Sequence, residues 1–375
     1  MRSGTRLMLV TDAVGGVWTY SLDLARALRE CDVEAFLVVI GPSPSAQQRT
    51  EASGFELIDT GFPLDWTAKR PDLIRRAGCA LAELAVKESA DLVQTNSAAL
   101  LADCEFDQPV VVVQHSCVAS WWATVKRSAL PADFSWRRDL IECGLNRAAA
   151  IVAPGAAFAA LTARTYALTR PVHAVHNGRR ALPMKRRPME DYVFTAGRLW
   201  DEGKNLRTLD EAAARLGVQV EAAGPLRGPN GAHVAFDNLR CLGELPPAGI
   251  AERLAARPIF ASAALYEPFG LSVLEAAQAG CALVLSDIPT FRELWSGCAT
   301  FVPTNDADAF AEATEELLAN AARRTDLGIA ARMHALRYTP DLMARRMVHI
   351  YEHLLPEVKR LPSRTSGAVE FVSAA

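Results

Sequence analysis

The chain has 375 residues, half of them hydrophobic, and a formal net charge of −3. That length accommodates two domains of ordinary size. The charge balance offers no basic excess to hold nucleic acid, and no apolar run reaches the roughly 18 residues of a bilayer span.

The opening residues lead into a short apolar run that Thr11 and Asp12 interrupt, the pattern of a buried first strand and not of a signal peptide. Apolar runs then alternate with amphipathic stretches, which predicts parallel sheets covered by helices. In the first half, strands are expected at 6–11, 34–40, 55–59, 91–95, 109–114, 150–153 and 172–176, with helices at 17–30, 71–89, 136–148 and 155–167. A second series has strands at 192–196, 218–223, 239–242, 258–262, 282–286 and 299–302, with helices at 205–216, 271–280 and 306–320. The junction at 178–190 is rich in Pro and basic residues and reads as a solvated connector. A last amphipathic helix is expected at 341–358, and the Ser/Gly/Ala-rich tail at 359–375 is expected to be disordered. The eight cysteines are scattered without a C-x-x-C pair, which reads as reduced thiols of a cytoplasmic protein and gives zinc no support.

Candidate functional residues sit where strands give way to helices, the edge at which ligands bind in parallel sheets. Gly15 and Gly16 follow the first strand and offer backbone N–H groups, although the G-x-G-x-x-G spacing of a dinucleotide site is missing. Trp18 and Tyr20 come next, as lining candidates or as packing. Asn96 follows the fourth expected strand, and His115 follows four consecutive valines. In the second half Arg198 and Lys204 leave the first strand together, two cations suited to a diphosphate. Gly224 and Leu245 lie in the next two strand-end loops.

The most informative segment is Glu267-Pro268-Phe269-Gly270-Leu271-Ser272-Val273-Leu274-Glu275. Pro268 pushes Glu267 into an extended loop. Gly270 lets the backbone approach a ligand. The helix that follows carries Glu275 and presents unpaired N–H groups and a partial positive charge at its start. A phosphate suits that start, and Glu275 can accept bonds from a ribose.

This segment resembles the E-x7-E motif of the retaining family-4 GT-B glycosyltransferases, and the likeness continues through Ala276–Asp287. The resemblance implies an α/β chain of two Rossmann-like domains facing each other across a cleft. Residues 1–178 would bind the acceptor, with helix 341–358 packing back onto them, and 179–340 would bind the nucleotide sugar. It further implies a hexose, mannose or glucose, moved from a nucleoside-diphosphate sugar to a saccharide, lipid-linked or small hydroxyl acceptor with retention of configuration. Cofactors are then none, and no metal is needed. His115, Arg198, Lys204 and Glu267 become the catalytic candidates. Gly15, Gly16, Arg198, Lys204, Gly224, Leu245, Glu267, Phe269, Gly270, Leu271 and Glu275 become the donor-binding ones. Trp18, Tyr20, Asn96 and Trp122 are acceptor-side candidates. Many relatives continue the histidine with Asp, where this chain has Ser116, so no role passes to that position.

Asp306-Ala307-Asp308 spells a metal-binding D-x-D, but at the start of a helix it reads as a cap. The basic, aromatic stretch 121–138 reads either as a peripheral contact with a membrane surface or as a helical pair with solvated charges. Other readings are a non-catalytic nucleotide-sugar binder and a GT-B isomerase. A nicotinamide oxidoreductase lacks its glycine fingerprint in either half.

Overall fold

The computed structural model describes residues 4–355 apart from Arg186 and Asn230. The tail expected at 359–375, and the last residues of the helix expected to reach 358, lie outside the described residues. Contacts divide the chain into two units: the segment ending at Gly178 joined by the segment from Pro340, and Arg179–Thr339.

The first unit runs β1 (Thr5–Asp12), α1 (Gly16–Leu28), β2 (Val33–Ile40), α2 (Ala46–Glu51), β3 (Leu57–Asp59), α3 (Pro71–Lys87), β4 (Leu92–Thr95), β5 (Val110–Val113), α4 (Val118–Val125), α5 (Ser135–Arg147), β6 (Ala150–Ala153), α6 (Ala156–Thr165) and β7 (Val172–Ala174). Among the described residues these strands form one parallel sheet in the order β3-β2-β1-β4-β5-β6-β7. Leu7, Met8, Leu9 and Val10 of β1 are all buried, as a central parallel strand covered on both faces requires.

The second unit runs β8 (Val193–Ala196), α7 (Leu206–Ala213), β9 (Val220–Ala223), β10 (Arg240–Gly243), α8 (Pro247–Ala255), β11 (Ile259–Ser262), α9 (Leu271–Ala279), β12 (Leu283–Ser286), α10 (Pro289–Trp295), β13 (Thr300–Val302), α11 (Ala307–Ala319) and α12 (Ala321–Ala335). Its sheet has the order β10-β9-β8-β11-β12-β13, again parallel. In each sheet the strand order reverses beside the first strand, between β1 and β4 and between β8 and β11. Such a reversal opens a crevice at the strands' C-terminal ends. The last helix, α13 (Pro340–Leu354), belongs to the first unit. There Met343, Met347, Ile350 and Tyr351 join Trp18, Leu22 and Leu28 in one apolar cluster.

Among its described residues the 178–190 junction has no helix or strand and is mostly exposed, as a connector should be, but it is pinned to the second unit: Leu182 is buried in that core, Met184 packs against it, and the N–H groups of Arg187 and Glu190 donate to Ala255 and Ala256. One expectation is corrected. Not all eight cysteines are reduced, because Cys79 of α3 and Cys104 form a disulfide. Gly78 explains the proximity. A Cβ there would lie 2.1 Å from the Leu100 carbonyl oxygen, so α3 runs directly against the turn that leads to Cys104.

Candidate functional site

In the second unit the loop after β8 holds Arg198 and Lys204. Asp201 organises it. One carboxylate oxygen accepts from the Gly203 N–H at 2.9 Å, and the other accepts from Arg198 Nη2 at 2.8 Å. Asn205 closes the loop at φ 53°, its amide donating to the carbonyl of Ala263, which follows β11. The Leu265 and Tyr266 N–H groups in turn donate to the Gly203 carbonyl. These bonds lock the loops after β8 and β11 together, and Lys204 Nζ donates to Glu267 Oε2. Sequence reasoning assigned Lys204 and Glu267 to different parts of a substrate; folding makes them an ion pair, both largely buried. An ammonium has three donors, so Lys204 can keep Glu267 and still meet a phosphate.

Gly270 has φ 88°, a left-handed conformation, and starts α9 with no side-chain cap and no acidic residue in the first turn. The first intrahelical bond runs from the Leu274 N–H to the Gly270 carbonyl. The N–H groups of Leu271, Ser272 and Val273 therefore lack intrahelical acceptors, so this helix start has donors free of the helix to offer an anion. One turn further on, Glu275 Oε1 accepts from Arg179 Nε at 2.7 Å. Arg179 is itself fastened, its N–H donating to Tyr338 and its carbonyl accepting from Gln278. Gly224 serves backbone packing: a Cβ there would lie 1.7 Å from the Gly197 carbonyl oxygen, and its N–H donates to Gly243. Leu245 packs partly buried against the core. Phe269 must be corrected as a ligand contact. It is 3 % exposed and its ring meets Tyr338 edge-on, so it anchors the loop from below.

In the first unit Gly15, Asn96 and His115 come together, because β1, β4 and β5 are neighbours and each residue follows one of them. Gly15, at φ 71°, turns the chain so that Gly16 opens α1, and both glycines are exposed. The Asn96 amide donates to the Val10 carbonyl and Ser21 Oγ. Its Oδ1 is buried without a partner among the described residues. His115 Nε2 is likewise buried without one. Desolvation lowers the His115 pKa to about 3, so its imidazole is neutral at physiological pH.

Trp18 and Tyr20 are corrected as lining residues. Trp18 is buried in the core and donates to Glu51 at 3.2 Å. Tyr20 is buried as well, its hydroxyl accepting from Gln94, while its ring packs edge-on against His115 at 4.3 Å and supports it. Trp122 lies half-buried on α4, donating to Ser128 and packing on Phe134. Asp306 is a cap, its Oδ1 accepting from the Ala309 N–H at 2.9 Å, and Asp308 pairs with Arg215. Within 121–138, Arg137 stacks on Phe134 and Trp136 and donates to the Asp65 and Ala68 carbonyls. That arginine is structural. Among the described residues no helix is long and apolar enough to cross a membrane.

Sequence reasoning missed Asp201 and Arg179. Asp201 had a usable signal, an N-cap residue three positions after Arg198. Arg179 had none, since a basic residue in a Pro-rich junction looks solvated.

The family model for Glycosyltransferase Family 4 matches residues 14–180, and that for Glycosyl transferases group 1 matches 185–334. Phosphatidyl-myo-inositol mannosyltransferase of Mycobacterium leprae is 29% identical over 119 residues, 31% of this chain and 32% of that protein. The Mycolicibacterium smegmatis protein of the same name is 29% identical over 135 residues, 35% of this chain and 33% of its own length. The matched segments thus span about a third of these curated relatives. Sucrose-phosphate synthase from Thermosynechococcus elongatus superposes with a TM-score of 0.76 at 18% identity, covering 93% of this chain and 99% of its own. Anabaena HepE, in complex with UDP-glucose, gives 0.72 at 16%, covering 93% and 100%. These likenesses show the GT-B fold, and with the two family models spanning most of its length the chain belongs to the family-4, group-1 glycosyltransferases.

Proposed function

We propose that the protein transfers a hexosyl unit from a nucleoside-diphosphate sugar to a hydroxyl acceptor with retention of configuration. The observation that carries this reading is the convergence, at one sheet edge, of Arg198, the Lys204–Glu267 pair and the uncapped start of α9, with Glu275 one turn along. The relatives named as mannosyltransferases and the fold neighbour with UDP-glucose bound support a hexose donor.

In this reading the diphosphate lies at the start of α9 and the ribose hydroxyls donate to Glu275. Glu267 orients sugar hydroxyls. The bond from the anomeric carbon to the phosphate oxygen breaks while the acceptor oxygen bonds to the same face. The acceptor proton passes to the departing phosphate oxygen. Arg198, Lys204 and the helix N–H groups stabilise the charge that builds there, which is commonly the largest single catalytic effect. Those cations supply the role a divalent metal plays elsewhere, so the reaction proceeds without one. The first unit is read as the acceptor-binding half, with the Gly15–Asn96–His115 edge as its ligand-facing part.

The test is calorimetric titration of UDP, GDP, ADP and their hexose conjugates, with and without EDTA. Binding of one base that survives EDTA is expected, and silence across the panel would favour a non-catalytic protein. Arg198→Ala should then lower kcat far more than donor affinity, because its help is greatest as the phosphate leaves. Near-normal turnover in that variant would remove Arg198 from the diphosphate.

A further inference from the structure

At its C-terminal end α9 crosses α12, and two glycines make the crossing: a Cβ on Gly328 would lie 2.2 Å from the Gly280 carbonyl oxygen. Beside it lies a cavity of about 240 Å³ lined by Arg257, Arg324 and Arg332, with no carboxylate in its lining. Arg324 is 2 % exposed. Its Nη1 donates to Asp191 at 2.7 Å, and its Nη2 to the Glu190 and Arg257 carbonyls at 2.6 and 2.8 Å. Those bonds explain Arg324 as a clamp on neighbouring backbone. They leave its Nε unexplained, buried without a partner among the described residues, and the Nε of Arg257 is in the same state. Buried guanidinium N–H groups normally have acceptors, because leaving them bare forfeits their hydration for nothing.

Arg332 reaches the same place. A Cβ on Gly280 would touch the Cδ atoms of both Arg257 and Arg332, each at 4.0 Å. Among the described residues Arg332 has no ion pair. A helix C-terminus attracts cations to its carbonyls, which would suffice for one arginine. It does not suffice here, since the Ala276 and Ala277 carbonyls already accept from the backbone of Gly280 and Cys281. The start of α12, one turn from Arg324, adds further positive potential. Asp191 offsets the charge of Arg324, and an anion in the cavity would offset those of Arg257 and Arg332.

A tetrahedral oxyanion, with several acceptor oxygens for forked donors, fits that chemistry best. A neighbouring feature adds a second character. Ile329, which lines the cavity, is followed at helical spacing by Met333 on α12 and by Leu336 just beyond it, and the three are 57, 62 and 60 % exposed. An apolar stripe beside a phosphate site suits a phosphate carried by a lipid. We propose that this cavity binds a phosphate group, presented by an anionic phospholipid or by a soluble phosphorylated metabolite. It lies at the opposite end of α9 from the proposed diphosphate site and stands whether or not the transferase reading does.

The full chain is titrated with glycerol 3-phosphate by calorimetry and sedimented with vesicles of phosphatidylglycerol or of phosphatidylcholine alone. Arg332→Glu, at an exposed position, should leave the melting temperature unchanged yet weaken phosphate binding about tenfold or more, the loss of one charged hydrogen bond. Arg257→Gln should act likewise, and Arg198→Ala, which alters only the other site, should bind as the wild type does. Cosedimentation with phosphatidylglycerol alone, reduced by Ile329→Ser with Met333→Ser and by Arg332→Glu, assigns the phosphate to lipid. Glycerol 3-phosphate binding without cosedimentation assigns it to a soluble metabolite. No binding of either probe, or binding that Arg198→Ala abolishes and Arg332→Glu leaves intact, overturns the proposal.

Discussion

Glu275 and Arg179 are best judged together. A carboxylate has about four acceptor positions, so Glu275 can hold Arg179 and still receive a ribose hydroxyl. Glu275→Gln should weaken donor binding by about 1–3 kcal/mol, the loss of charged hydrogen bonds. Arg179→Ala should weaken it as well, by releasing the carboxylate from its orientation. The double variant should lose less than the sum, since both changes remove one arrangement; strictly additive binding free energies would show that Arg179 orients nothing. Glu267 and Glu275 were legible in the sequence because a Pro-Phe-Gly turn and a helical run fix their environment. Side-chain direction was not legible. Phe269 belongs to the same motif yet points into the core, and Trp18 falls on the face of α1 that Leu22 and Ala25 also bury.

Among the elements, strands were read nearly to the residue, because a buried parallel strand is a short unbroken apolar run. Helices of one or two turns, α2, α4, α8 and α10, are too short for a period to emerge. The 15-residue helix α12 escaped for another reason. It buries Arg324, Gly328, Ala331 and Ala335 while exposing Ile329 and Met333, so its apolar pattern points the wrong way. Helix α13 was visible through Met343, Met347, Ile350 and Tyr351. Its dependence on the first unit gives a stability prediction: Met347, fully buried against that core, should cost about 2–5 kcal/mol when changed to Ala. Urea unfolding of the first unit reads this directly, and a loss below 1 kcal/mol would mean the helix is not packed as described.

On the scale of the whole chain, the first unit is interrupted by the second, and each has its own apolar clusters. Differential scanning calorimetry should therefore resolve two transitions with different sensitivities. Reducing the Cys79–Cys104 link, which closes a sequence separation of 25, should destabilise only the first unit, by about 3.5 kcal/mol on the chain-entropy estimate. A bound nucleotide at a hundred times its dissociation constant should stabilise only the second, by about 2.7 kcal/mol. Reductant and nucleotide acting on the same transition would contradict this division. The two-unit plan was legible from alternating patterns, but the disulfide was not. Its cysteines meet only because Gly78 lets a helix touch a turn, and no spacing rule encodes that approach.

The site in the second unit holds three cations, and each has a carboxylate at its side: Arg198 with Asp201, Lys204 with Glu267, Arg179 with Glu275. Summed, the side chains of those pairs are formally neutral, so they cast little long-range field toward an approaching anion. Diffusional capture of the donor should then depend weakly on ionic strength, unlike that of proteins that steer ligands with net charge. Stopped-flow association rates that change less than about threefold between low and physiological salt would fit this balance, and a steep decline would not. The same balance favours turnover, because a spent diphosphate, more highly charged than the sugar nucleotide that entered, meets no surplus of full side-chain charge to detain it.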